Sequence, residues 1–332
     1  MEPLRLTGPP PAVVTALRGW LEATEAPPLV VETSGSTGAP KQVLLSRHAV
    51  LASVAATERR LGGRGRWALV LPPTYVAGIQ VVVRSLVAGH EPVLGGFDGA
   101  AYASLVPTQL HRLLDAAADT AALAELEAVL LGGGPIDPVL RARAEAAGIR
   151  VVATYGSAET AGGCVYDGYA LDGVALALGE GGRIRIAGPT LFDGYADAPA
   201  ATSEVLVDGW FLTSDAGRLD EDGRLHVLGR VDDVVVSGGV NVPTPAVAAR
   251  LREHPAVSDA AVVGVPDEEW GHRVVAFVVG GLDVAAARDW VAELHPRSWA
   301  PREVVAVDAL PLLSNGKVDR MSLRARASAV EP

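Results

Sequence analysis

The sequence predicts an α/β protein with an antiparallel β subdomain, divided into a large N-terminal domain over residues 1–229 and a small α+β C-terminal domain over 230–332. Three observations carry this prediction. Short apolar runs alternate with Ala- and Leu-rich helical stretches up to about residue 153, the pattern of a sheet with parallel pairing. After about residue 172, Gly-rich turns separate brief strands, as antiparallel pairing requires. From Arg230 onward a third, compact pattern sets in, with strands flanked by helices. At 332 residues the chain is long enough to bury more than one core.

The elements follow in order. Residues 12–23 read as a short amphipathic helix, and Leu29-Val30-Val31 as a buried strand running into a Gly-rich loop at 34–41. Ser46 is placed as the N-cap of a helix ending at Leu61, because its hydroxyl can accept from a free backbone amide of the first turn. Trp67 to Leu71 is an apolar strand, followed by a helix over about 77–88. Strands at 103–106, 126–131 and 150–153 then alternate with helices at 107–118 and 137–147. The Gly-punctuated region gives strands at 183–187, 204–207, 210–212 and 224–228. The last region gives strands at 233–236, 258–265 and 273–279, helices at 244–254 and 283–294, and an exposed tail carrying Lys317.

Composition excludes several classes of function. The net charge of −11 argues against nucleic acid, which needs a basic face. The single cysteine, Cys164, permits no internal disulfide and fits a reducing cytoplasm. Glu2, Arg5 and Pro9-Pro10-Pro11 open the chain without the apolar core of a signal peptide. The longest uncharged apolar stretch, Trp67 to Val83, is broken by Pro72-Pro73 and closed by Arg84, so no membrane span is expected.

Of 28 basic residues only two are lysines, Lys41 and Lys317, and both sit beside Gly-containing stretches. Lysine is a compact point charge on a flexible stem, suited to one phosphate or carboxylate oxygen, so both are candidates for chemistry. In Thr33-Ser34-Gly35-Ser36-Thr37-Gly38-Ala39-Pro40-Lys41, hydroxyls and Gly amides can wrap an anion. A Walker loop would need Gly before the lysine and Ser or Thr after it; Pro40 and Gln42 stand there instead. A flexible surface turn is the plainer reading of this loop taken alone.

The run Ser34 to Lys41 resembles the phosphate loop of the adenylate-forming acyl-CoA ligase superfamily, the AMP-binding enzymes. Four further segments resemble that superfamily in the expected order. They are Tyr155-Gly156-Ser157-Ala158-Glu159-Thr160, Asp208 to Asp215, Gly229-Arg230-Val231-Asp232-Asp233 with Ser237 to Val242, and Ser314-Asn315-Gly316-Lys317. The resemblance covers about residues 30–320. It implies a mobile C-terminal domain turning about Asp232, and two half-reactions. A carboxylate attacks the α-phosphorus of ATP to give an acyl-adenylate and pyrophosphate; the thiol of coenzyme A then displaces AMP.

The resemblance assigns roles to residues. Thr33, Ser34, Gly35, Ser36, Thr37, Gly38 and Lys41 would hold phosphates, Glu159 would bind Mg²⁺, and Tyr155, Gly156 and Ser157 with Gly133-Gly134-Pro135 would flank adenine. Asp215 would accept from the ribose hydroxyls, and Arg230 would contact ribose or phosphate. Lys317 would stabilise the transition state of adenylation, and Gly238-Gly239 would line a tunnel for the pantetheine thiol. Read alone, Glu159 is a solvated surface carboxylate, Tyr155 a packing residue, and Arg230 an ion-pair partner of Asp232 or Asp233. Three departures stand out: Ala158 replaces a hydroxyl residue, Gln42 a glycine and Ser214 a glycine.

Most superfamily members carry a much longer segment before the phosphate loop than the 32 residues found here, so a shortened N-terminal domain is expected. That feature, with the segments 71–80 and 159–168, is similar to the short actinobacterial o-succinylbenzoate–CoA ligases of menaquinone biosynthesis. The acid would lie against Tyr75, Gly78, Arg84 and Ser157. Arg84, the one cation on its helix, either holds a second carboxylate of a diacid or is a helix-surface arginine. Ligation of another aryl or acyl acid, and a non-catalytic acyl-adenylate binding protein, are the competing readings. A homodimer stays open as a partner arrangement.

Overall fold

A computed structural model describes residues 2–33, 41–312 and 318–329. The chain forms two compact units: one takes residues 1–177, 185–212 and 220–225, and the other takes 178–184, 213–219 and 226–332.

The first unit is built on a seven-stranded sheet. Its centre is the parallel set Trp67–Leu69, Tyr102–Leu105, Ala128–Leu131 and Val151–Ser157. The first three are buried along their whole length, which is why they read as continuous apolar runs rather than alternating ones. The antiparallel strand Gly162–Tyr166 extends the sheet beyond Ser157. Helix Arg47–Leu61 starts where expected, with Ser46 Oγ accepting from the Ala49 amide at 3.2 Å, and ends on Gly62 in the left-handed region. The expected helix at 107–118 is two, Pro107–Leu113 and Ala117–Ala124, with Leu114 to Ala116 between them.

A smaller sheet stands beside the first. Strand Leu29–Thr33 pairs antiparallel with Lys41–Leu45, with Thr33 opposite Lys41. Strand Gly194–Tyr195 adds to the other edge, with Tyr195 opposite Val43. Lys41 therefore begins a strand rather than ending a loop. The expected strand at 204–207 is half helix and half strand: Glu204 and Val205 end helix Pro199–Val205, and Leu206–Val207 is extended, paired with the start of Trp210–Leu219.

The second unit centres on the antiparallel pair Val257–Asp267 and Gly271–Gly280, with Glu303–Ala306 parallel to the latter. Period-two alternation sends Ala260, Val262, Val274, Ala276 and Val278 into a core with Val247, Leu251 and Val291, from helices Thr244–Arg252 and Val284–Ala292. The intervening Ala261, Val263, Val275 and Phe277 pack with Leu323 and Ala327 of helix Arg320–Ala329. Among the described residues no helix is long and apolar enough to cross a membrane.

One close approach in the first unit fixes a residue. A Cβ at Gly78, in helix Val76–Val87, would stand 2.1 Å from the Pro72 carbonyl oxygen. In an exposed helix interior Gly→Ala gains about 1 kcal/mol. Here the overlap is with backbone, so Gly78→Ala should instead cost roughly 1–3 kcal/mol, as overpacking does. A urea melt should show a lower midpoint at unchanged slope; a higher midpoint would contradict the packing described.

Candidate active site

A cavity of about 300 Å³ opens in the first unit at the carboxyl ends of the parallel strands, where α/β sheets commonly place ligands. Leu105, Leu130, Gly132 and Thr154 line it from the sheet, and Leu71, Pro72, Tyr75, Val76, Gln80 and Arg84 from the facing loop and helix. Of the residues expected at the acid or nucleotide, Tyr75, Arg84, Gly133, Gly156 and Ser157 line this one space. Gly78 backs it by letting the helix close on Pro72. A Cβ at Gly156 would meet the Gly162 carbonyl oxygen at 2.1 Å, so glycine there keeps the two strands together at the wall. Tyr155 is half-buried and lies off the cavity lining, as alternation after Thr154 dictates.

Arg84 is not on the surface. It is 4% exposed, on a helix with Ile79 to Ser85 all buried. Its Nη2 donates to Thr57 Oγ1 at 3.1 Å and to the Tyr166 hydroxyl at 3.4 Å, and those two oxygens share a 3.0 Å hydrogen bond. The guanidinium lies 4.8 Å from the centre of the Trp67 ring. Its Nε is buried without a partner, as are Gln80 Oε1 and Ser157 Oγ. Among the described residues no carboxylate pairs with Arg84. A buried charge normally keeps a counter-charge, because desolvation is expensive. The alternative of a helix-surface arginine is thereby excluded.

Glu159 sits on a single 3₁₀ turn, Ala158–Thr160, directly after strand Val151–Ser157. The turn is held by Thr160 Oγ1, which accepts from the Ser157 amide at 2.9 Å. Glu159 Oε1 accepts from the Tyr195 hydroxyl at 2.9 Å, and Lys41 Nζ lies 4.8 Å from the centre of the Tyr195 ring. Burial first, and then the Glu159 charge and hydrogen bond, push the Tyr195 hydroxyl well above the usual tyrosine range. Two of the departures have local explanations. Gln42 Oε1 accepts from Arg5 at 2.6 Å, and Ala158 is buried in the main core.

In the second unit, Asp215 lies on strand Trp210–Leu219, where its amide donates to Thr213 Oγ1 at 3.0 Å. The Thr213 hydroxyl is itself anchored on the Ile184 carbonyl at 2.9 Å. Arg230 ends strand Leu225–Arg230, and Asp233 pairs with Arg320. Gly238 and Gly239 form the two-residue turn between strands Val234–Ser237 and Val240–Pro243. Their φ values of 58° and 77° are those of a hairpin turn that favours glycine. A Cβ at Gly238 would meet the Trp270 ring at 2.8 Å, whereas the space at Gly239 is open, so at Gly239 backbone conformation is what asks for glycine. Gly134 and Pro135 are exposed ahead of helix Pro138–Ala146. Ser34, Gly35, Ser36, Thr37, Gly38 and Lys317, and the side chain of Asp232, lie outside the described residues.

Comparison with known proteins bears on the same segments. The AMP-binding enzyme model matches residues 23–177, and the AMP-binding enzyme C-terminal domain model matches 246–317. A probable 2-succinylbenzoate–CoA ligase of Mycobacterium tuberculosis (strain H37Rv) is 45% identical over 336 residues, covering 94% of this chain and 88% of its own. The chain belongs to the AMP-binding enzyme family. A second member, the 2-succinylbenzoate–CoA ligase of Geobacillus kaustophilus, is 32% identical, covering 89% of this chain and 68% of its own. The solved structure of o-succinylbenzoate CoA synthetase from Bacillus subtilis, in complex with the acyl-adenylate intermediate OSB-AMP, matches with a TM-score of 0.75 at 26% identity. That match covers 91% of this chain and 69% of the other. The amide bond synthetase McbA from Marinactinospora thermotolerans matches with a TM-score of 0.77 at 28% identity, over 90% and 68%.

Within this AMP-binding enzyme, sequence reasoning missed Tyr195, Gln80, Thr57 and Tyr166. Gln80 carried a signal: it is four residues before Arg84 on the same helix, so both face one way. Tyr195 carried little, since it meets Lys41 and Glu159 only through strand pairing.

Cys164, beside this site, is fully buried, and burial pushes its thiol up to about 12 against a weaker opposing hydrogen bond from Thr160. The thiolate is the reactive form. The folded protein should therefore leave a thiol-disulfide reagent unreacted in mildly alkaline buffer and release one equivalent on unfolding. Prompt reaction in the native state would contradict the burial.

Proposed function

We propose that the chain is an AMP-forming acid–thiol ligase whose acid is o-succinylbenzoate. It joins the acid to ATP as an acyl-adenylate, releasing pyrophosphate, and then transfers the acyl group to coenzyme A, releasing AMP. The observation that carries the choice of acid is the buried, carboxylate-free guanidinium of Arg84 in an otherwise mainly apolar cavity. One carboxylate of a diacid is activated, and the other completes the counter-charge of Arg84. The names of the relatives and structural neighbours support the same acid. The reaction belongs in the cytoplasm, as a step toward menaquinone.

The chain's residues divide the work. Lys41 and the hydroxyls and amides of Thr33 to Gly38 hold the phosphates. Asp215 and Arg230 take the ribose side, and Tyr155 with Gly133 to Pro135 flanks the base. Lys317 meets the charge that develops between carboxylate and α-phosphate. Gly238-Gly239 lines the thiol's approach after residues 230–332 turn about Asp232 relative to 1–229. Glu159, a hard oxygen donor with one oxygen fixed by the Tyr195 hydroxyl, would suit a magnesium ion carried on the nucleotide. Such ions are held by one or two carboxylates plus phosphates. A magnesium ion held there would supply neutralisation of phosphate charge.

A panel of acids, read as CoA thioester formation, tests the substrate. o-Succinylbenzoate should be preferred over acetate, fatty acids and benzoates by more than about tenfold, or ~1.4 kcal/mol of transition-state binding; the reverse preference would sink the assignment. Arg84→Ala should raise KM for the diacid by the equivalent of ~2–5 kcal/mol and spare a monoacid. Equal effects on both would make Arg84 structural.

Lys317→Ala separates the half-reactions. Pyrophosphate release should fall by roughly 10²–10³, while synthetic acyl-adenylate and coenzyme A still give thioester at near wild-type rate. Equal loss of both would rule out two separate catalytic arrangements.

A further inference from the structure

We infer that Tyr195 is a positioning residue that keeps Glu159 and Lys41 apart and directs both toward one metal-loaded nucleotide. The inference rests on the nucleotide reading above and adds a residue to which no role has been assigned. Strand pairing explains its place. Tyr195 lies opposite Val43, so its ring stands on the strand face shared by Lys41, Val43 and Leu45, diagonal to Lys41. Its backbone amide donates to Thr202 Oγ1 at 2.9 Å, and its ring packs 5.0 Å from that of Phe192. The hydroxyl is thereby delivered to Glu159 Oε1 at 2.9 Å while the ring passes 4.8 Å beneath the Lys41 ammonium.

The consequence is a separation of charge. Lys41 and Glu159 both touch Tyr195, yet no ion pair joins them among the described residues. A direct pair would neutralise the cation meant for phosphate and the carboxylate meant for the metal. With the ring as spacer, the ammonium keeps donors free because a π face engages charge without accepting a hydrogen bond. The carboxylate has one oxygen fixed in direction by the hydroxyl, the usual way an outer partner aims a metal ligand.

The test is calorimetric titration of the full chain with ATP, once with excess Mg²⁺ and once with chelator. Tyr195→Phe removes only the hydroxyl. It should reduce the gain in ATP affinity that Mg²⁺ confers by about tenfold, the scale of one hydrogen bond to a charged group. Metal-free ATP affinity and the melting temperature should stay near wild type. Glu159→Gln provides a second handle, since an amide still accepts from Tyr195 but carries no charge. It should abolish the gain, and adding Tyr195→Phe to it should change nothing further. A Tyr195→Phe protein with the full Mg²⁺ gain would overturn the inference, as would equal loss of affinity with and without metal. Additive effects of the two substitutions on the gain would overturn it as well. A wild-type protein that binds ATP but fails these comparisons loses this inference alone, whereas one that binds no ATP loses the proposed function too.

Discussion

A guanidinium buried with no carboxylate beside it among the described residues is the constraint around which the first unit is arranged. Arg84 is kept in place by a π face on one side, the Trp67 ring, and by two hydroxyls on another, Thr57 and Tyr166. Those groups soften the cost of burying a cation, but none of them cancels its charge. The helix that carries Arg84 is buried around its circumference and closed onto Pro72 through Gly78, so the side chain cannot be swung into water by a small rearrangement. Three buried polar atoms without partners, Arg84 Nε, Gln80 Oε1 and Ser157 Oγ, belong to residues that line the same cavity. Leu71, Leu105 and Leu130 line that cavity too, and the proposed acid is correspondingly mainly apolar and anionic at one end.

The second polar centre of this unit works by the opposite device. Lys41 and Glu159 are opposite charges that both contact Tyr195, and no ion pair joins them among the described residues. Under the proposed function, a carboxylate would complete the first centre and phosphates with their metal the second. Such preorganisation is where an active site spends stability in exchange for electrostatics that need no rearrangement during reaction.

Much of this was legible in the sequence, and the reasons differ by element. The strands at Trp67, Tyr102 and Ala128 announced themselves because parallel strands covered on both faces are apolar throughout. The Ser46 cap was legible because an N-cap asks for few residue types, whereas Gly238-Gly239 was read only as a tunnel lining and proved to be a hairpin turn. Strand Lys41–Leu45 was not, since a Gly-rich run and two polar residues at its start suggested loop; its alternating burial appears only once Leu29–Thr33 is beside it. Gly162–Tyr166 opens with two glycines and forms a strand through tertiary pairing against intrinsic preference. The burial of Arg84 could have been read from its neighbours, because Val76–Val87 is apolar on all sides apart from that one charge and two uncharged polar residues. The role of Tyr195 could not, as Lys41 and Glu159 come from two distant segments.

The central claim is that Arg84 waits for a second carboxylate, and a crystal structure of the protein with bound o-succinylbenzoate tests it most directly. The account predicts one carboxylate of the acid within about 3 Å of the Arg84 guanidinium, with Nε among the donors, and the other turned toward Ser157 and the nucleotide. An acid bound with both carboxylates away from Arg84, and the guanidinium still resting only on Trp67, Thr57 and Tyr166, would contradict it.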